Sequence, residues 1–236
     1  MIIFFRKIRQ QLLTENKIGK YLLYAIGEIL LVMVGILLAF QVNQWNENNK
    51  NEKLEYKLLK EVETSLKSDL DLVIHNINEQ EEIINHQDSF ILWLESTQAS
   101  RDSIIGSSYW YTSFNTYEGA YETLKQLGMT RIQNDSLRKQ ISKLYDITYP
   151  NYIKMSDVYE NLVYEFRRLS GEHFSDIGNF SMKVNDLQRL RSDNNYSFQL
   201  KLLRDMGRFL VYVSMPQTKQ EIELTLKILE QELNNQ

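Results

Sequence analysis

The pattern of apolar and polar positions divides the chain sharply. Tyr21 to Phe40 reads YLLYAIGEILLVMVGILLAF, twenty positions without a Lys, Arg or Asp. At 1.5 Å per residue such a helix spans about 30 Å, the thickness of a bilayer's hydrocarbon core. Beyond it the pattern turns amphipathic. Leu59, Val62, Leu66, Leu70, Val73, Ile77, Ile84 and Ile91 recur at helical spacing, with polar residues on the other faces. Neither Gly nor Pro occurs between Ala39 and Ile105, so the sequence predicts a membrane helix that runs on into a long polar-faced one. From Glu47 to Glu95 alone that helix would measure about 70 Å, a length that needs a partner surface.

The remainder also reads as helical. TQASRDSIIGSSYWYTSFN predicts a long irregular connection. Asn115 or Thr116 then caps a helix carrying Tyr117, Tyr121, Leu124 and Leu127 and closed by Gly128. Asn134 or Asp135 caps the next, with Leu137, Ile141 and Leu144, and Tyr149-Pro150 is expected to break it. Met155, Tyr159, Leu162, Phe166 and Leu169 then share a face before Gly171, and residues 172–184 read as loose. Leu202, Met206, Phe209 and Val213 form a further apolar face. A break is expected at Pro216, with a Thr218/Glu221 capping box before Ile222, Leu226, Leu229 and Leu233. No strand is expected. The predicted fold is all-α: a transmembrane helix continuing into a long helix, followed by an antiparallel helical bundle.

Charge gives this layout a direction. Arg6, Lys7, Arg9, Lys17 and Lys20 precede the apolar run against the single acid Glu15. The positive flank places residues 1–20 in the cytoplasm, residues 21–40 across the inner membrane and residues 41–236 in the periplasm. Tyr21, Tyr24 and Trp45 fall where interfacial aromatics belong. The first sixteen residues mix bulky apolar and basic side chains, as in an amphipathic helix lying on the inner leaflet. A cleaved signal would have a shorter apolar core and a small-x-small site, whereas Phe40-Gln41-Val42-Asn43-Gln44 offers none. The net charge of −4 is a sum of unlike parts: +4 in residues 1–20, −1 at Glu28 and −7 in the rest. No basic stripe marks a nucleic-acid site.

The chemistry expected from side chains is sparse. No Cys is present, which removes thiolate metal sites, disulfides and cysteine nucleophiles. His75, His86 and His173 have no metal-ligand spacing, and no phosphate loop, dinucleotide fingerprint or nucleophile elbow occurs. The acidic pairs along the long helix read as a solvated face. The expectation is a protein with no catalytic, cofactor-binding or metal-ligating residues.

Two groups stand out. Glu28 lies inside the apolar run, where a carboxylate costs about 2.5–3.5 kcal/mol on insertion scales unless partnered or neutralised. On a helical wheel Ala25, Glu28, Val32, Gly35 and Ala39 fall within about 80°. Gly35 and Ala39 form a small-xxx-small pair that lets another helix approach. This face is expected to associate with itself or with another membrane protein, the alternatives for Glu28 being a proton- or ion-linked role and a protonated or water-reaching side chain without special role. Fourteen tyrosines suit either bundle junctions or interfaces. Tyr109, Trp110 and Tyr111, in the predicted loop, are the candidate exposed recognition segment.

The opening FFRKIRQQLLTENKIGKYLLYAIGEILLVMVGILLAFQVNQWNENNK resembles the N-terminus of a Bacteroidota (flavobacterial-type) single-pass membrane-protein family of unknown function. The shared features are the FFRKIR-type start, the ENK…KY…YAIGEI block and the Q-x-N-x-W-N-E exit. TYEGAYETLKQLGMTRIQNDSLRKQISKLY resembles that family's central region more loosely. The resemblance implies the single-pass topology and the helical fold and transfers no site residue. Two expectations follow for function: a membrane-anchored, non-enzymatic scaffold, or a sensor subunit that binds a periplasmic ligand and signals through a membrane partner.

Overall fold

The computed structural model describes residues 18–97, 104–105, 109–178 and 181–235. The apolar run and the polar-faced stripe belong to a single helix, α1 (Ile18–Glu95). The amphipathic segment predicted for the first sixteen residues, and the side chains of Tyr21 and Tyr24, lie outside what is described. The described chain divides into two units, one through Leu54 and one from Glu55.

In the first unit, the described side chains from Ile29 to Phe40 are all exposed. The helix here is long and apolar enough to cross a membrane, and none of its most apolar window is covered by the chain.

The second unit is a helical bundle assembled on the C-terminal part of α1. Its elements are α2 (Gly119–Leu127), α3 (Asp135–Lys143), α4 (Tyr149–Ser170), α5 (Leu187–Ser192), α6 (Asn194–Phe209) and α7 (Met215–Asn235). Gly128 ends α2 at φ 97°, the backbone region that favours glycine. Asn134 caps α3 by accepting from the Ser136 and Leu137 amides. The predicted Asn115/Thr116 cap does not form, and α2 begins after Glu118 without a side-chain cap.

The two prolines do not break their helices as expected. A five-residue π-helical turn, Leu144–Thr148, joins α3 to α4, and another, Leu210–Ser214, joins α6 to α7. Pro150 and Pro216 each occupy the second position after such a turn. Proline is tolerated in the first turn of a helix, where its missing N–H costs least. Thr218 accordingly lies inside a helix, its hydroxyl donating to the Ser214 carbonyl rather than forming a capping box.

Strand is also present where none was expected. β1 (Ile104–Ile105), β2 (Phe174–Gly178) and β3 (Ser181–Val184) form a small antiparallel sheet in the order β1-β3-β2. Ile104 lies opposite Met182 and Phe174 opposite Val184, with a bulge between Ser175 and Ile177.

The buried faces of three helices differ from those the periodicity selects. Along α1, Leu59, Val62, Leu66, Val73, Ile84 and Ile91 are core, as expected, but Leu70 and Ile77 are only half-buried. Asp69, Asn76, Gln80 and Gln87 take the central positions instead. Along α4 the buried series is Tyr149, Tyr152, Ser156, Tyr159, Val163, Phe166 and Ser170, flanked by half-buried Met155, Leu162 and Leu169. Along α6 it is Tyr196, Leu200, Leu203 and Gly207, while Leu202 and Phe209 remain exposed. The predicted residues are buried on α3, as Leu137 and Ile141 with Leu144 in the turn after it, and on α7, as Ile222, Leu226, Leu229 and Leu233. Of those predicted for α2, Tyr121 and Leu124 are buried but Tyr117 and Leu127 are exposed. Along α1 and α4 the displaced positions are taken by side chains that bond across the two helices, Asp69 with Tyr149, Asn76 with Tyr152 and Gln87 with Tyr159, which a pattern of aliphatic residues does not register.

Candidate functional site

The chemistry of the second unit is concentrated in a buried ladder between α1 and α4. Four polar side chains descend α1 at intervals of seven, four and seven residues: Asp69, Asn76, Gln80 and Gln87, none more than 3% exposed. Three tyrosines of α4 meet them. The Tyr149 hydroxyl donates to Asp69 Oδ2 at 2.8 Å, and Gln87 Nε2 donates to the Tyr159 hydroxyl at 3.2 Å. Asn76 Nδ2 donates to the Ser113 carbonyl at 2.9 Å and to the Tyr152 hydroxyl at 3.4 Å. Gln80 abuts Gly207, where an added Cβ would stand 3.0 Å from its Nε2, so α6 approaches α1 where it has no side chain.

Asp69 is the costly member. It is a fully buried carboxylate that accepts from the Tyr149 hydroxyl and from the Tyr117 amide, the latter at 3.1 Å. Burial pushes its carboxyl above the usual range, and the two donated hydrogen bonds oppose that shift only in part. Burial, with the nearby Asp69 carboxylate second, pushes the Tyr149 hydroxyl far upward. Tyr145 packs in the same layer, stacked on Tyr121 at 4.4 Å, with its hydroxyl buried and unpartnered.

A raised Asp69 means the folded chain holds a proton that the unfolded chain releases. Its contribution to stability is therefore complete below the ordinary carboxylate range and is lost as pH rises through the raised value. Glu63, bonded by Lys67 and Lys60, Asp193, bonded by the Tyr196 amide and His173, and Glu221, bonded by Lys143, are all held low. Their contributions are present above the ordinary carboxylate range and are lost in acid. Asp69→Asn is expected to abolish the alkaline side of this profile while leaving the acid side in place. Asp69→Leu strands the Tyr149 hydroxyl and the Tyr117 amide, at about 1–3 kcal/mol for each buried group. Urea unfolding across a pH range of about 4–9, compared among the three chains, checks both. A Leu variant as stable as the Asn variant contradicts the assigned roles.

The segment predicted as an exposed recognition loop is largely built into this core. Tyr109 is buried, its ring stacked on Phe166 at 5.1 Å and its hydroxyl 2.9 Å from that of Tyr196. The Tyr109 carbonyl accepts from Arg167 Nε at 2.9 Å, and burial pushes the phenol up to about 12. Tyr111 is half-buried and meets Tyr164 edge-on, with Arg167 over both rings. Trp110 alone of the three is exposed, at 49%. Phe114, against Tyr149 and Tyr152, fastens the rest of the segment.

Of the histidines, His75 is exposed and His86 half-buried, whereas His173 is buried beside the sheet. His173 Nε2 lies 2.8 Å from Asp193, the carboxylate that caps α6, and its ring meets Tyr196 edge-on. Its Nδ1 has no partner. This pair escapes a sequence reading because its members are twenty residues apart on different elements. Among the described residues, no group of three or more His, Asp or Glu gathers as a metal site would require.

In the first unit Ala25 and Glu28 are half-buried, and Val32, Gly35 and Ala39 are exposed. No atom beyond the helix's own backbone lies near a Cβ built at Gly35. Among the described residues, the chain thus supplies nothing that covers Gly35.

The DUF6090 family, described as a family of unknown function, matches residues 28–198, and the chain belongs to it. The match takes in the central segment TYEGAYETLKQLGMTRIQNDSLRKQISKLY and begins at Glu28, after the basic start. No curated protein and no solved structure matches the chain.

Proposed function

Taking the chain as a DUF6090 member, we propose that it is a non-enzymatic interaction protein anchored in the cytoplasmic membrane by a single pass. The N-terminus lies in the cytoplasm and the helical unit in the periplasm. The face of Ala25, Glu28, Val32, Gly35 and Ala39 docks a second copy or another membrane protein, and the bundle binds protein partners. The observation that carries this reading is the uncovered apolar run. From Ile29 to Phe40 every side chain is exposed, and lipid or another chain is what removes such a surface from water. The positive flank and the lack of a small-x-small site support a retained anchor over a cleaved signal.

The packing of the tyrosines supports an interaction protein over a ligand sensor. A sensor would need them to line a ligand-sized cavity; instead Tyr149, Tyr152, Tyr159 and Tyr196 are fully buried against other side chains. A surface groove of about 400 Å³ beside the first π-turn is lined by Met129, Arg138, Lys139, Ser142, Lys143, Asp146 and Ile147, with no tyrosine among them.

The role of Glu28 is tested by substitution. Hydrogen bonding across a helix pair contributes about 1 kcal/mol in lipid, so Glu28→Gln retains association and Glu28→Leu weakens it. Mild-detergent pull-down from native membranes, followed by mass spectrometry, compares the variants with the parent chain. Loss of one membrane protein in the Leu variant identifies the partner. Identical recovery from all three chains contradicts the docking role of this face.

A further inference from the structure

After the apolar run, α1 crosses a polar stretch without support from its own chain. Residues 41–48 and 50–53 are exposed and Asn49 is half-buried, and all of them are helical. Five of the nine positions from Asn43 to Asn51 are asparagine, a poor helix former. A lone helix of that composition is marginal in water and needs a second surface to hold it.

The pattern of the stretch says which surface. Leu38, Val42, Trp45 and Asn49 follow one another at steps of four, three and four residues, and at 100° per residue they fall within about 60°. The three apolar members are between 57% and 67% exposed. In a coiled-coil heptad Leu38 and Trp45 take d and Val42 and Asn49 take a. A β-branched residue at a, leucine at d and a single asparagine at a are the choices that specify two parallel strands. An asparagine amide both donates and accepts, so Asn49 is complementary to its own copy at the same height. Traced back in steps of seven, Val42 leads to Gly35 and Glu28, two members of the membrane face.

The charges select the same occupant. Glu47 and Lys50 lie away from the seam and pair with each other at 3.1 Å. Glu52 and Lys53 flank the seam on its two sides, and among the described residues neither has an ionic partner in the chain. In a parallel pair Glu52 of each copy lies beside Lys53 of the other, so four charges alternate in sign where the seam ends. An antiparallel neighbour would leave them uncompensated. An anionic lipid surface calls for an excess of Lys and Arg, whereas residues 41–54 carry two acids and two bases. Parallel pairing also keeps both apolar runs side by side in one bilayer.

We infer that the stretch from Leu38 to Lys53 pairs with the same stretch of a second copy as a short parallel coiled coil, in register at Asn49. The inference rests on the membrane-docking reading above. It deepens that reading by naming a second copy as the occupant and by carrying the contact beyond the lipid.

The absence of cysteine from the chain lets single cysteines be read one at a time in the full-length protein, reconstituted at a low protein-to-lipid ratio. On mild oxidation Val42→Cys and Asn49→Cys are expected to give disulfide-linked dimers. Asn43→Cys and Glu47→Cys, on the outward side, are expected to stay monomeric. Adding Glu52→Lys to Val42→Cys is expected to cut the dimer yield about fivefold by replacing two attractive pairs with repulsion. Further addition of Lys53→Glu restores it. An unchanged near-ultraviolet circular dichroism spectrum verifies that the bundle stays folded in each variant. Equal cross-linking at all four positions is random collision and overturns the inference, and a charge swap that restores nothing overturns the parallel register. Absence of dimers at Val42→Cys and Asn49→Cys also overturns it. If Gly35→Cys still cross-links, or Glu28→Leu still loses one membrane protein, the docking reading then stands without this contact.

Discussion

Tyr196→Ala is expected to lower the unfolding free energy of the bundle by about 3–5 kcal/mol, the range for removing a large buried aromatic side chain. Tyr196 is fully buried at the meeting of α1, α4, α6 and the sheet. Its ring lies against Phe90, Phe166, Phe174 and His173 at 4.9–6.2 Å between centroids. Its hydroxyl also serves Tyr109 and Ser170. Truncation therefore leaves a cavity and strands at least one phenol at once. Tyr196→Phe keeps the rings and removes only the hydroxyl, so its cost is about 1 kcal/mol. Urea unfolding of the detergent-solubilised chain, followed by near-ultraviolet circular dichroism, separates the two. Equal losses would show that the hydroxyl network, rather than ring packing, holds this junction.

The second large effect concerns the apolar run. Its twelve Leu, Ile, Val and Phe residues favour insertion by about 0.3–0.6 kcal/mol each, and each Arg near the centre opposes it by about 2.5–3.5 kcal/mol. Leu31→Arg combined with Val34→Arg therefore cancels most or all of the driving force. The double variant is expected to leave the membrane fraction, whereas Leu31→Ile with Val34→Ile stays. Leu202 and Phe209, exposed on α6, do not replace the lost anchor. Retention of the Arg variant would place membrane attachment elsewhere in the chain.

Legibility from sequence followed chemistry type. The run from Tyr21 to Phe40, the caps at Gly128 and Asn134 and the core face of α7 were readable because each rests on a local rule: length, left-handed backbone, side-chain capping or aliphatic spacing. The ladder was not. Asp69, Asn76 and Gln87 look like solvent-facing residues until Tyr149, Tyr152 and Tyr159 arrive from more than seventy residues away to satisfy them. The same exchange rotates the α4 face, whereas α6 turns Gly207 toward Gln80 of α1 and leaves Leu202 and Phe209 outside. Pro150 and Pro216 read as stops because a π-turn has no local signature that announces it. Tyr109 read as a recognition residue because loops usually carry function. Its burial depends on Phe166 and Tyr196, neither of which is near it in sequence.

Integration of the whole chain in the membrane is the point on which the proposed function turns. Native membranes washed with alkaline carbonate, followed by intact-mass measurement of the retained protein, test it most directly. The expected result is that the protein stays in the pellet at a mass that includes residues 21–40. Release of the helical unit into the supernatant, at a mass that lacks those residues, would show a cleaved signal and contradict the anchor.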